Sequence, residues 1–368
     1  MKFEVDRNSF LDPLQAVAGV VERRQTMPIL GNLLLGAEGK RLTVTGSDME
    51  VELAAELGDV EIVEEGEITV PARKLVDICR ALPDGVKIAV DLDKGKMVVK
   101  AGRSRFALAT LPAADFPLVE DIGVQREFAL PGAKFKNLLS RAAFSMAQQD
   151  VRYYLNGLLI ETSEGRLRVV ATDGHRLALC DLEAAFPADT SKQQMILPRK
   201  GVLELQRLLG DKEENVKVLI GSNHFRVELP GARFTSKLID GRFPEYERVL
   251  PKGGDKVLIA ETRSLRESLS RAAILSNEKY RGVRLQLDKN RLKVLAHNPE
   301  QEEAEDEVEV EYVGEALEIG FNVTYLLDAL NAIIDQKVSV GFTDSNSSCL
   351  ISSPSDSSCR YVVMPMRL

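Results

Sequence analysis

The sequence predicts an α+β fold made of three copies of one unit. Two observations predict it. The first is an order that recurs three times along the 368 residues: strand, apolar-periodic helix, strand pair, second helix. The second is a shared spacing. Phe116-Pro117 and Phe243-Pro244 lie 127 residues apart, and so do Pro71 and Pro198. Boundaries are expected to give units 1–125, 126–252 and 253–368, with Pro251-Lys252-Gly253-Gly254-Asp255 as a linker.

Each copy opens alike. Phe3–Val5, Phe128–Leu130 and Val257–Ile259 read as strands, followed by helices over Phe10–Val21, Phe135–Met146 and Leu265–Leu275. In the second of these, Phe135, Leu138, Leu139, Ala142, Ala143 and Met146 recur at the three- and four-residue spacing of one helix face. Strand pairs follow at Asn32–Leu35 with Arg41–Gly46, Asn156–Glu161 with Arg166–Thr172, and Val283–Leu287 with Arg291–His297. Short polar or glycine turns separate them, as in hairpins. Second helices start at Val70-Pro71-Ala72, Leu197-Pro198-Arg199 and Phe321-Asn322-Val323. Pro at a first turn sacrifices no hydrogen bond, and Asn322 is placed to cap. Ser345–Ser358 reads as a hairpin.

Composition excludes several classes. Hydrophobic residues at 44% and charged residues at 28% fit a globular protein. The amino-terminal residues carry no signal-peptide pattern, and no apolar run is long enough to cross a membrane. A cytoplasmic, non-membrane protein is expected. Cys79, Cys180, Cys349 and Cys359 are widely spaced and read as free thiols in a reducing compartment.

The net charge of −8 argues against a polyanion partner unless charge is segregated. It is. The segments 7–24, 70–82, 134–149, 197–209, 262–281 and 322–335 sum to +9, leaving about −17 elsewhere. Only the last helix breaks the pattern, at −2. A basic helical surface attracts phosphates without reading bases. The competing reading is ordinary solvated helix faces. A second asymmetry concerns assembly. Lys96, Arg103 and Arg105, with Phe106 and Leu108, lie near the end of unit one. Glu300 and Glu303 lie in an acidic run of unit three, with Ile274 and Leu275 at a helix end. Opposite ends of opposite charge suit head-to-tail association.

No catalytic constellation stands out. Thr172-Asp173-Gly174-His175-Arg176 could pair a base with an orienting carboxylate, but no nucleophile elbow or phosphate loop accompanies it. His175, His224 and His297 have no metal spacing. No catalytic residue, cofactor or metal is expected.

At these residues the chain resembles the bacterial replicative sliding clamps, the β subunits of DNA polymerase III. The resemblance is carried by Pro28–Leu34, Val70-Pro71-Ala72-Arg73-Lys74, Thr110–Pro117, Gln149–Gly157, Ala171–Leu177, Asp240–Pro244, Asn298–Glu302 and Val362–Leu368. It implies three clamp domains per chain in a head-to-tail homodimeric ring, helices lining the hole and antiparallel sheets outside. It implies a processivity factor that slides on duplex DNA without sequence preference, with about +18 on a dimer's twelve helices. Arg24, Arg73, Gln149, Tyr153 and Tyr154 would touch DNA, and Lys74 would join the dimer contacts named above. A pocket for short linear peptides would use Leu155, Thr172, Gly174, His175, Arg176, Leu177, Pro244, Arg248, Val249, Asn322, Tyr325, Ser348, Met364, Pro365, Met366 and Arg367. Its implied partners are the polymerase III catalytic subunit, the clamp loader, other DNA polymerases and repair proteins. Adaptable methionines suit a pocket with many partners. Asn346 departs from the family's apolar preference. The alternative is a repeat-built interaction scaffold with no DNA role, which would scatter its cations over helices and sheets alike.

Overall fold

The computed structural model describes residues 1–22, 27–119, 121–163, 165–184, 186, 191–211, 213–251 and 256–367. Arg24, most of the expected linker and Leu368 therefore lie outside the described residues.

Six α-helices are present among them: α1 (Arg7–Ala18), α2 (Ala72–Ala81), α3 (Gly132–Ala143), α4 (Arg199–Leu208), α5 (Thr262–Ala272) and α6 (Val323–Ala332). Their starts have local causes. The Asp6 carboxylate accepts from the N–H groups of Asn8 and Ser9, and Asn322 accepts from that of Thr324. Pro71 and Pro198 differ from expectation. Each closes a strand, paired to Asn32 and Gly157, and its helix begins at the next residue. Helix α5 buries Leu265, Leu269 and Ala272 at four- and three-residue steps, as its periodicity requires.

The antiparallel sheets are assembled from half-sheets of four strands, one of them extended by Glu61–Glu64. Each repeat makes two. One eight-stranded sheet joins Ala232–Lys237 of the second repeat to Val51–Leu57 of the first. Another joins Cys359–Val363 of the third repeat to Arg176–Glu183 of the second. Each of the two remaining half-sheets leaves unpaired, among the described residues, the edge that the other repeats use for that joint. Ser104–Ala109 is the last strand of a five-stranded sheet, and Glu303–Glu309 the first strand of a four-stranded one. Because sheets span the repeat junctions, the chain packs as two compact units: Met1–Lys136 with Lys200–Leu238, and Asn137–Arg199 with Ile239–Leu368.

The expectation of four free thiols is corrected. Cys180 and Cys359 form a disulfide, their Cα atoms 4.2 Å apart. They sit directly opposite one another on the strands Arg176–Glu183 and Cys359–Val363. A sequence separation of 179 residues hides that pairing from spacing arguments. Cys79 and Cys349 stay free and buried, and burial pushes both thiols up to about 12. Neither is a thiolate at neutral pH.

Candidate partner pocket and cation-bearing helices

In the second unit, Leu159, Val170, Leu177, Leu179, Ile196, Phe243, Tyr246 and Val362 form one apolar cluster, with Tyr154, Ile239, Leu250 and Leu350 packed against it. The cluster is open at one end. There it forms a cavity of about 340 Å³, within the usual range for ligand sites. The cavity brings together nine of the expected pocket residues: Leu155, Thr172, Gly174, Arg176, Leu177, Pro244, Val249, Ser348 and Met364. Arg152, Glu245, Tyr246 and Val362 also line it, and sequence reasoning missed them. Val362 and Arg152 were the most legible of these, because both lie in segments that carry the family resemblance.

The turn at one rim explains its own residues. Thr172 Oγ1 accepts from the Gly174 N–H, and its hydroxyl donates to the Arg176 carbonyl at 2.6 Å. The Asp173 carboxylate accepts from the backbone N–H groups of His175 and Arg176, at 2.9 and 3.1 Å. Gly174 stands at φ +89°, where a side chain is strained. Asp173 thus caps a turn and engages Arg176 rather than orienting the His175 ring. That removes the acid–base reading of this motif.

Arg176 is a pin, not a free cation. Its guanidinium engages Asp173, Asp328 and the Phe144 carbonyl, and lies 4.4 Å from the Tyr325 ring centroid. Tyr325 therefore sits behind Arg176. At the mouth, Arg152 is held by Asp150 at 2.8 and 3.0 Å and reaches the Asp173 carbonyl at 3.3 Å. The hydrogen bonds from Arg152 hold the Asp150 carboxyl at about 2, below its ordinary value.

The tail extends the site. The Met364 N–H donates to the His175 carbonyl and the Met366 N–H to the Gly320 carbonyl, each at 2.9 Å. Met364 lines the cavity, whereas Pro365, Met366 and Arg367 continue along the strand that ends in Asn322. His175, Arg248, Asn322, Tyr325 and those three tail residues lie outside the cavity lining. Arg248 instead pairs with Glu245 at 2.6 Å. Asn346 is exposed in a turn capped by Asp344 and does not line the cavity either.

The expected DNA-facing residues are exposed to differing degrees. Gln149 is exposed at φ +55°, Tyr153 is 57% exposed, and Tyr154 is half-buried against the apolar cluster. The charge of the helices is less free than the sequence count suggests. Lys136 is tied to Asp211, Lys200 to Glu22 and Asp48, Arg207 to Glu204, and Arg271 to Asp306. Arg199 is half-buried and donates to the Met146 carbonyl. Arg73, Lys74 and Lys134 are exposed and Arg266 half-buried; none has an ion-pair partner among the described residues.

Apart from Lys74, which lies on α2, the residues expected at a dimer contact sit at the two open edges or beside them. Lys96, Arg103, Arg105, Phe106 and Leu108 belong to the edge strand Ser104–Ala109, its turn or its neighbouring strand; Leu108 is buried and Phe106 half-buried. Glu303 starts the other edge strand, and Glu300 precedes it in an exposed turn. Ile274 is 76% exposed, and Leu275 is half-buried beside it. Among the described residues no cluster of His, Cys, Asp or Glu is placed to hold a metal ion, and no helix is long and apolar enough to cross a membrane.

Comparison with known proteins places these features. Family profiles of the DNA polymerase III beta subunit match along the chain: the N-terminal domain over 1–120, the central domain over 129–245 and the C-terminal domain over 247–367. The Beta sliding clamp of Pseudomonas aeruginosa is 55% identical over 368 residues, and that of Escherichia coli K12 is 53% identical; both alignments cover all of each chain. Among solved structures, the Pseudomonas aeruginosa DnaN sliding clamp bound to griselimycin superposes with a TM-score of 0.97 at 55% identity. The Caulobacter crescentus pol III beta superposes at 0.95 with 40% identity. Each covers both chains in full.

Proposed function

The chain belongs to the DNA polymerase III beta-subunit family, the beta sliding clamps, and from that premise we propose how its own residues serve the role of a non-catalytic processivity factor. Two copies join head to tail into a closed ring. The observation that carries this is the joint between half-sheets. The chain forms that joint twice internally, pairing Ala232–Lys237 with Val51–Leu57 and Cys359–Val363 with Arg176–Glu183. In the half-sheet order, Ser104–Ala109 is the counterpart of the first strand in each pair, and Glu303–Glu309 of the second. Both are left open. An unpaired edge invites another strand, and these two are complementary in charge. Arg103 and Arg105 flank one edge, while Glu303, Glu305, Glu307 and Glu309 lie along the other. Ile274, Leu275 and Phe106 would bury apolar surface at that joint beside the already buried Leu108, with Lys74, Lys96 and Glu300 at its rim.

Duplex DNA passes through the ring. Arg73, Lys74, Lys134 and Arg266 form no ion pair among the described residues and offer charge on helices, and Arg24, Gln149, Tyr153 and Tyr154 join them. A topological link needs only such weak phosphate contacts, because tight ionic anchors would oppose sliding. The cavity at Leu155, Leu177, Pro244 and Met364 receives short apolar peptide segments of the polymerase and other partners, and griselimycin is expected to occupy it. His175, Arg248, Asn322, Tyr325 and Pro365–Arg367 extend it as a second, shallower stretch. The protein acts in the cytoplasm.

The test combines mass in solution with DNA retention. A dimer loaded onto nicked circular DNA stays bound through gel filtration and is lost once the circle is cut. Equal retention on circular and linear DNA, or a monomer at working concentration, ends the ring reading and favours a scaffold.

A further inference from the structure

The pocket wall is completed by one aromatic side chain, Tyr246, and that ring stands on a buried polar chain. Tyr246 is 4% exposed. Its hydroxyl donates to Glu161 Oε2 at 3.0 Å and accepts from Arg168 Nη1 at 3.3 Å. The Arg168 guanidinium carbon lies 5.9 Å from the ring centroid. Glu161, 1% exposed, also accepts from Gln194 at 2.8 Å and pairs with Lys192 at 2.9 Å. Arg168 clamps Asp181 with its other two nitrogens, at 2.6 and 2.8 Å, and Arg360 reaches the same carboxylate at 3.4 Å. Burial opposes charge on Glu161, but the bonds from Gln194, Lys192 and Tyr246 outweigh it and hold the carboxyl below its ordinary value.

Such a chain is a costly way to fill a sheet face, because buried ions repay their desolvation only when fully satisfied. Here the second Glu161 oxygen is buried without a partner. The fold does not require the chain. Strand register aligns the two copies: Asn32 pairs with Pro71 as Gly157 pairs with Pro198, and Leu34 with Thr45 as Leu159 with Val170. On that register Gly36 stands at the place of Glu161, Thr43 at that of Arg168 and Glu56 at that of Asp181. The Phe-Pro landmark puts Val119 at the place of Tyr246. Gly36, Thr43 and Glu56 line an open cavity of about 610 Å³ in the first unit. The same strip of sheet is therefore stable without the chain.

We propose that Glu161 and Arg168 are positioning residues for partner recognition, fixing Tyr246 so that the pocket is formed before a peptide arrives. Preorganisation raises affinity by removing the cost of ordering the wall on binding. The inference rests on the pocket assignment made above.

The test uses the full-length protein with griselimycin as probe. Tyr246→Phe keeps the ring and removes only the hydroxyl; Arg168→Met keeps the stem and removes the donor. Each single variant is expected to bind about tenfold more weakly, through faster dissociation, the scale of one or two lost hydrogen bonds. The double variant is expected to bind no more weakly than the worse single one, because both break the same chain. A structural role alone would lower the melting temperature but leave dissociation unchanged where every variant is folded. Unchanged affinity in Tyr246→Phe overturns the proposal even if Arg168→Met fails to fold, and so do multiplying losses. If griselimycin fails to bind the parent chain, the pocket reading falls first, and the two failures are thereby distinguished.

Discussion

The pocket of the second unit has a counterpart in the first, position for position, and the two have opposite chemistry. Leu155 corresponds to Leu30 and Pro244 to Pro117, so the backbone and one apolar wall are shared. The floor is not. Leu177 becomes Glu52, Val362 becomes Thr235 and Met364 becomes Lys237. Glu52 is 2% exposed and accepts from the Val119 N–H at 2.8 Å, while Arg226 donates to the Val119 carbonyl at 2.8 Å and to Thr235 at 2.9 Å. The loop after the Phe-Pro landmark is thus tied to the sheet through its backbone. In the second unit Tyr246 ties that loop through its side chain, and an apolar cavity stays open beside it. A duplicated fold supplies the same groove twice, and the polarity of a few floor positions sets the chemistry that each copy presents.

Deleting residues 364–368 should break this contrast most severely. Met364 is the cavity's mobile-chemistry residue, the thioether that can adapt to different ligands. Losing it with the tail should weaken griselimycin binding by about a hundredfold or more, the scale of removing a buried apolar anchor. Sedimentation should still report a dimer, since neither open strand edge includes the tail. Lys237→Ala, at the matching place in the first unit, should leave binding unchanged. Retained affinity after the deletion would refute the assignment of the pocket.

Much of this was legible in the sequence, for physical reasons. Helix and strand periodicity, the Asn322 cap and the hairpin near the carboxyl terminus depend on residues close together in the chain, which patterning reports directly. The Phe-Pro spacing exposed the repeat that also generates the two grooves. The illegible features were long-range. Lys200 counts as a helix cation in sequence, yet Asp48, 152 residues away, neutralises it. Cys180 meets Cys359 only because two strands of different repeats pair in one register. Tyr246 is held by Glu161 and Arg168, 85 and 78 residues away, so no local pattern reports its role. Resemblance supplied the expected pocket residues, nine of which line one cavity although they come from distant segments that no local pattern joins.

The seam in the first unit should show its charge in a pH profile. Burial raises the Glu52 carboxyl above its ordinary value, despite the Val119 N–H and the charges of Arg233 and Arg226. A raised folded value means that folding takes up a proton. Glu52's favourable contribution is therefore present below the unfolded value and lost as pH rises through the folded one. Glu52→Gln removes that dependence. From pH 4 to pH 7 the stability of the variant relative to the parent should rise, by about 1.4 kcal/mol for each unit separating the two values. Urea unfolding at several pH values measures it; a parallel pair of curves would mean that Glu52 carries no burial penalty.

The smallest expected effect lies at the pocket mouth. Asp150 titrates at about 2, held down first by the Arg152 side chain and then by its backbone N–H. The first repeat has uncharged Gln25 at the corresponding place in sequence, so this pair belongs to the apolar groove and not to its polar counterpart. With its folded value below the unfolded one, the carboxylate contributes stability above the unfolded value and loses it only as pH falls through about 2. Between pH 4 and pH 9 the pair should stay closed and impose no pH dependence on ligand binding. Carbon-13 NMR of the Asp150 carboxyl checks this: a midpoint near 4 would show that Arg152 swings free in solution, leaving the mouth of the cavity as loosely held as an ordinary surface loop.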